Sequence, residues 1–290
     1  MKYRVRHVTT YRYAEPVDLG SHMLHLSPRQ LPYQSVLDAS VVATPEPGRT
    51  SERLDHFGNP VMLMFMDRAH DRFEVTLDAT VEVLFPRHAD PSRSMPWEQV
   101  AASARDGDSD SWRASEFIFD SPMLPAEPGA GGYAAPSFPP GRPILTGLID
   151  LNSRIRRDFA FRSGVTTIST PVARVLAQRA GVCQDFTHLM IAGLRALGLP
   201  ARYVSGYLRT KPPPGVTGRR GADQSHAWVG AWLGPGQGWV DLDPTNDLVV
   251  RDEHVVLAWG RDYGDISPVR GMILGGGNHT VTVAVDLDPV

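Results

Sequence analysis

Apolar positions recur along this chain with two different periods, and the change from one to the other divides it. From Tyr3 to about Phe85 they alternate with polar ones, and β-branched and aromatic types dominate: Tyr3, Val5, His7, Thr9 and Tyr11, then Val36 to Val42, Val61 to Phe65 and Phe73 to Phe85. A period of two with these residue types predicts strands. Thr44-Pro45-Glu46-Pro47-Gly48 and Asp55-His56-Phe57-Gly58-Asn59-Pro60 separate them. The second reads as a hairpin turn because Gly58 and Asn59 tolerate positive φ. Residues 1–86 are expected to form an antiparallel β-domain.

Residues 87–142 shift to Pro, Gly, Ser, Ala and Asp and read as a connecting region, with one short helix around Trp97 to Ala104. Ala126 to Gly141 is expected to be irregular and to lie over the surface of the second domain. After Pro143 the period becomes helical. Ile144, Leu148, Leu151, Ile155 and Phe159 mark an amphipathic helix. Thr170-Pro171 opens a second one that stops near Gly181. A third begins at Cys183 and carries Phe186, Leu189, Met190, Gly193, Leu194 and Leu197, with Gly198 and Pro200 as its stop. Strand patterns return at Ala201 to Leu208. Ser225 to Leu233 and Trp239 to Pro244 flank Gly234-Pro235-Gly236-Gln237-Gly238 as a hairpin. Val249-Val250, His254 to Leu257 and Thr280 to Val285 are expected to complete a sheet. Residues 143–290 thus read as an α+β domain.

A chain of 290 residues suits two such lobes, and a net charge of −3 without a long basic run excludes the electrostatic footprint of a nucleic-acid binder. No stretch is long and apolar enough to span a bilayer, and Met1 to His7 lacks the continuous apolar core of a signal peptide. The single cysteine forbids an internal disulfide, so a reducing, cytoplasmic setting is expected. The histidines of the first lobe show no tight ligand spacing, and neither a metal nor a cofactor is expected.

The single cysteine, Cys183, falls at the start of a helix. Unpaired backbone N–H groups and the positive end of the helix dipole favour a thiolate there, although a lone cysteine is most often a packed small hydrophobe. The hairpin changes the weighing. Folding its second strand along its first brings His226 beside Asp243, with Asp241 on the same face as the competing carboxylate. Asp243 is favoured because it lies further from the turn. A thiolate, an imidazole and a carboxylate that orients it are the parts cysteine catalysis needs. Trp228, Trp232 and Trp239 suit either an acyl-binding wall or the core. The Pro- and Gly-rich stretch Lys211 to Gln224, with Arg219-Arg220, suits either a lid or a solvated loop.

Gly181-Val182-Cys183-Gln184-Asp185-Phe186, Leu199-Pro200-Ala201-Arg202-Tyr203-Val204-Ser205-Gly206-Tyr207, His226-Ala227-Trp228 and Trp239-Val240-Asp241-Leu242-Asp243-Pro244-Thr245 together resemble the core of the transglutaminase-like superfamily. His7 to Tyr13, Pro28-Arg29 and Phe57-Gly58-Asn59 are similar to the β-domain preceding that core in bacterial members, and Gly260 to Asp265 followed by Pro268-Val269 fits them too. The resemblance implies a papain-like core, a cysteine-bearing helix on an antiparallel sheet, with Cys183, His226 and Asp243 as catalytic residues. It implies acyl-enzyme chemistry on a peptide or protein amide, as a cysteine peptidase or amidase. The alternatives are a protein-glutamine transglutaminase that passes the acyl group to an amine, and a binding module without turnover. No calcium-loop spacing is present. Gln184, Trp228, Arg219 and Arg220 are the expected substrate contacts. The backbone N–H of Cys183 is the expected oxyanion donor, and Gln184 and Gln178 are side-chain candidates by residue type alone.

Overall fold

A computed structural model describes residues 1–86, 90–107, 111–209 and 224–290. Its first part runs β1 (Lys2–Leu24), β2 (Gln34–Thr44), β3 (Arg49–Leu54), β4 (Pro60–Met66) and β5 (His70–Val83), then α1 (Trp97–Asp106), α2 (Trp112–Ser115) and α3 (Pro128–Ala134). The middle holds α4 (Ile144–Asp158), β6 (Ala160–Phe161), α5 (Val172–Gln178), β7 (Ala180–Gly181) and α6 (Cys183–Ala196). Then come β8 (Ala201–Leu208), β9 (Gln224–Trp232), β10 (Trp239–Asp243), β11 (Leu248–Val249), β12 (His254–Gly260), β13 (Val269–Gly275) and β14 (His279–Pro289).

The 23-residue strand β1 organises the first sheet. Its leading half, Lys2 to Arg12, lies between β5 and β14, and its trailing half, from about Val17 to Leu24, between β4 and β13, with the register broken between the halves. The last two strands therefore belong to the first sheet and not to the second domain expected over 143–290: β13 has no counterpart among the expected strands, and β14 contains the stretch Thr280 to Val285 expected to complete a sheet. Alternation reveals a strand but not its partner, because every strand offers the same backbone groups to any neighbour. The second sheet is antiparallel in the order β11-β10-β9-β8-β12.

Helix α6 packs on β8 and β9 and is buried almost throughout, from Asp185 to Arg195. Against it lies α3, in a segment expected to be irregular. Small residues explain the difference. A Cβ on Gly193 would meet the Ala134 Cβ at 2.9 Å and the Ala130 carbonyl at 3.1 Å, and one on Gly131 would meet the Ala196 Cβ at 2.8 Å. The two helices approach so closely that packing outweighs the poor helix propensity of glycine. Pro128 opens α3, and the Glu127 carboxylate accepts from the Gly129 N–H at 3.0 Å. Helix α5 ends earlier than expected, at Arg179 with a left-handed φ of 52°, because the next two residues pair as β7 with β6.

The two sheets are joined at the outer edge of β12. The Gln34 side chain donates to the Val256 carbonyl at 2.7 Å and accepts from the Val256 N–H at 2.8 Å. Asn59 makes the same pair of bonds with Trp259, at 2.8 and 2.9 Å. Two side-chain amides thus pair with the edge as a strand would. The Arg29 and Arg202 guanidinium groups stack on the Trp259 ring at 3.5 and 3.7 Å.

Candidate active site

The site begins at the first turn of α6. Val182 precedes the helix in extended conformation, and the Asp185 carboxylate reaches back to its N–H at 2.7 Å while accepting from Thr166 Oγ1 at 2.7 Å. This fixes the turn that carries Cys183, and the helix pattern alone did not single Asp185 out. An acidic residue three places after a helix cap was the available signal. Burial pushes the Asp185 carboxyl up, against the pull of those two bonds.

The β9–β10 register sets what lies beside Cys183. Trp239 faces Trp232, Asp241 faces Gly230 and Leu242 faces Val229. Asp243 is therefore a diagonal step from His226, and Asp241 a diagonal step from Trp228. Each carboxylate takes the ring on its diagonal: Trp228 Nε1 donates to Asp241 at 3.0 Å, and His226 Nε2 lies 2.8 Å from Asp243 Oδ2. Asp243 is fully buried. It accepts from the N–H groups of Thr245 and Asn246 on Oδ1, and from Asn246 Nδ2 at 2.7 Å and His254 Nε2 at 3.4 Å on Oδ2. Burial raises its carboxyl, but the bonds from His226, His254 and Asn246 outweigh that and hold it below the usual carboxylate range.

His226 responds in the opposite direction. Burial favours the neutral ring, yet hydrogen bonds to Asp243 and to Cys183 raise it to about 10. With Nε2 engaged by Asp243, Nδ1 is the nitrogen left for the thiol. An imidazole flanked by a carboxylate and a sulfur is placed to pass a proton to and from that sulfur.

His254, expected to be structural, shares Asp243 with His226 and stands edge-on to Trp228 at 5.1 Å. Sequence offered no signal for it, since β12 reaches Asp243 across two intervening strands. The ligand atoms of His226, Asp243 and His254 lie within 4.8 Å of one another, close enough to hold a cation, but hydrogen bonds already join all three.

Cys183 and His226 open onto a cavity of about 1320 Å³ between the lobes. Its opposite wall comes from the first sheet, with Thr9 and Tyr11 of β1 beside Val283 and Val281 of β14. Gln184 lines this cavity, and its amide donates to the Ile168 carbonyl at 2.9 Å. Trp228 does not reach it. Two residues along the same strand face from His226, it is fully buried against Val204 and Val256 with its N–H engaged by Asp241, so its expected substrate contact is corrected. Arg219, Arg220 and the stretch read as a lid lie outside the described residues, apart from the backbone at Gln224.

Residues 3–82 match the sequence profile of the bacterial transglutaminase-like N-terminal region, and residues 143–244 that of the transglutaminase-like superfamily. An uncharacterized protein of Mycobacterium tuberculosis is 40% identical over 295 residues, spanning 99% of this chain and 93% of that protein. The chain belongs to the transglutaminase-like superfamily. A protein-glutamine gamma-glutamyltransferase of Pseudomonas aeruginosa is 41% identical over 100 residues, 32% of this chain and 15% of that protein. The crystal structure of a candidate cysteine protease from Cytophaga hutchinsonii has a TM-score of 0.76 to this fold at 24% identity, covering 99% of this chain and 90% of that one. The transglutaminase-like core here is papain-like, with α6 seated on the antiparallel sheet and the β-domain preceding it.

Proposed function

We propose that the chain is a cysteine-dependent hydrolase of peptide amides. The observation that carries this reading is the imidazole of His226, fixed by buried Asp243 at 2.8 Å and lining the same cavity as Cys183, whose thiol stands at a helix N-terminus. The Cys183 sulfur adds to the amide carbonyl carbon and the carbonyl electron pair moves to oxygen. Collapse of that adduct expels the amine, which takes its proton from His226 and leaves a thioester. A water then gives its proton to His226, attacks the thioester and releases the acid, restoring the thiol–imidazole pair. Asp243 holds the ring's orientation throughout.

Water is favoured as acceptor by the charge already paired around the cavity. Asp265 is paired with Arg261 at 2.9 Å, and Asp262, tied to the N–H groups of Met123 and Gly264, is 1% exposed, so among the described residues neither carboxylate in the wall stands both unpaired and open to draw in a lysine ammonium. The second reading, transfer to an amine, is favoured by the 41% identity to the gamma-glutamyltransferase over 100 residues. Incubating the protein with a glutaminyl peptide library and excess primary amine, followed by mass spectrometry, separates them. Cleaved or deamidated peptide supports hydrolysis and an amine conjugate supports transfer. Turnover that survives Cys183→Ala, or no product at all, sinks both.

A further inference from the structure

An acyl transfer through Cys183 needs two donors converging on the carbonyl oxygen as it becomes an oxyanion, and the backbone N–H of Cys183 supplies only one. The glutamines that residue type suggested are engaged elsewhere. Gln178 donates to the Ala180 carbonyl at 2.7 Å and Gln184 to the Ile168 carbonyl at 2.9 Å.

Tyr203 on β8 is different. It lines the same cavity as Cys183 and His226, while its residue is only 2% exposed. Its ring is set by His188 at 5.1 Å and Tyr263 at 6.2 Å. Its hydroxyl makes no hydrogen bond to any described residue, whereas the Tyr207 hydroxyl is bound to His7 Nδ1 at 2.8 Å and the Tyr133 hydroxyl to Asp158 at 3.0 Å. Tyr203 is thus a phenol in the cavity wall that no described residue engages. Burial first, and then the charge of Cys183, push the Tyr203 phenol well above its ordinary range, so it remains an O–H donor across working pH.

We infer that the Tyr203 hydroxyl is the side-chain donor of the oxyanion hole, acting together with the backbone N–H of Cys183. This rests on the acyl-enzyme reading above and adds to it the group that carries the oxyanion. As sulfur adds to the carbonyl carbon, the displaced electron pair gathers on oxygen, which accepts from Tyr203 and from Cys183. Both bonds relax when the carbonyl re-forms and the amine leaves.

The test is Tyr203→Phe, which keeps the ring and removes one oxygen. Two rates on Cys183 are compared with wild type: acylation by p-nitrophenyl acetate, which passes through an oxyanion, and alkylation by iodoacetamide, which displaces iodide at a saturated carbon and forms none. The expected result is acylation slowed roughly 10²- to 10³-fold, the effect of removing one such donor, with alkylation unchanged and the thermal melt superimposed. Acylation within threefold of wild type overturns the inference. Equal slowing of both rates overturns it as well, since Tyr203 would then act on the sulfur and not on the oxyanion. Wild type that alkylates but never acylates sinks the acyl-enzyme reading along with it. A peptide aldehyde, whose thiol adduct carries the same oxygen, is a second measurement, and undiminished affinity for Tyr203→Phe also counts against the role.

Discussion

Asp243 is the residue on which the site's protonation depends, and its effect has a sign that can be measured. His226 is raised to about 10 from an unfolded value near 6.5, so its contribution to stability is fully present below about pH 6.5 and is lost as pH rises through about 10. Asp243 is held below its unfolded value of about 3.9, so its contribution is present above that pH and disappears only as pH falls through the depressed value. The two windows overlap between about pH 4 and 6.5. In Asp243→Asn the carboxylate that holds His226 up is gone and burial is left to pull the ring down. Wild type should therefore exceed this variant in melting temperature most at pH 5 to 6, with the gap narrowing steadily toward pH 10. A gap that stayed constant across that range would refute the pairing. At this scale the residue types of the site were readable from sequence, and so was the choice of Asp243 as the carboxylate nearer His226, because a hairpin fixes its own register. His254 was not readable, since its contact with Asp243 depends on where β12 enters the sheet.

Among the elements, the contrast between α6 and α3 says most about what a pattern can reveal. Helix α6 was legible from its apolar recurrence, its start at Cys183 and its stop at Gly198, all of them local signals. Helix α3 was not, because Pro128-Gly129-Ala130-Gly131-Gly132 carries the composition of a loop and becomes helical only where α6 offers a surface smooth enough to meet it. The two glycines nearest that seam and the one turned away from it should behave oppositely. Gly193→Val would place atoms where Ala134 and the Ala130 carbonyl already stand, at 2.9 and 3.1 Å from the first carbon added, and should cost about 1–3 kcal/mol by overpacking. Gly132 meets nothing within 4 Å, so Gly132→Ala should stabilise by about 0.4–1 kcal/mol. Thermal melts of the two variants settle the point, and a destabilised Gly132→Ala would contradict the helix. Gly193→Val should also slow labelling of Cys183, because α6 carries the thiol.

For the molecule as a whole, the lobes are not two successive segments of the chain. Residues 1–86 hold five strands, but β1 takes two further partners from residues 269–289. Expressed alone, residues 1–86 should fail to give the dispersed amide spectrum of a folded β-domain, while the same segment joined by a flexible linker to residues 269–290 should give one. A well-dispersed spectrum from residues 1–86 alone would show that β13 and β14 are dispensable. The alternation that made each strand visible was silent on this closure, and the cavity wall that β1 and β14 build together was equally invisible, being a product of tertiary assembly.

That closure also sets an order of events on the ribosome. The strand at the centre of the first sheet is made early, and two of its neighbours only after the whole of the second sheet. At about 5–20 residues per second, something like 15 s to a minute separates β1 from β14. Through that interval the nascent chain carries a long strand with unfilled backbone groups and apolar side chains such as Tyr3 and Val5, which the finished protein buries completely. A cell making this protein quickly would be expected to need a chaperone holding its N-terminal strands until the C-terminal ones arrive.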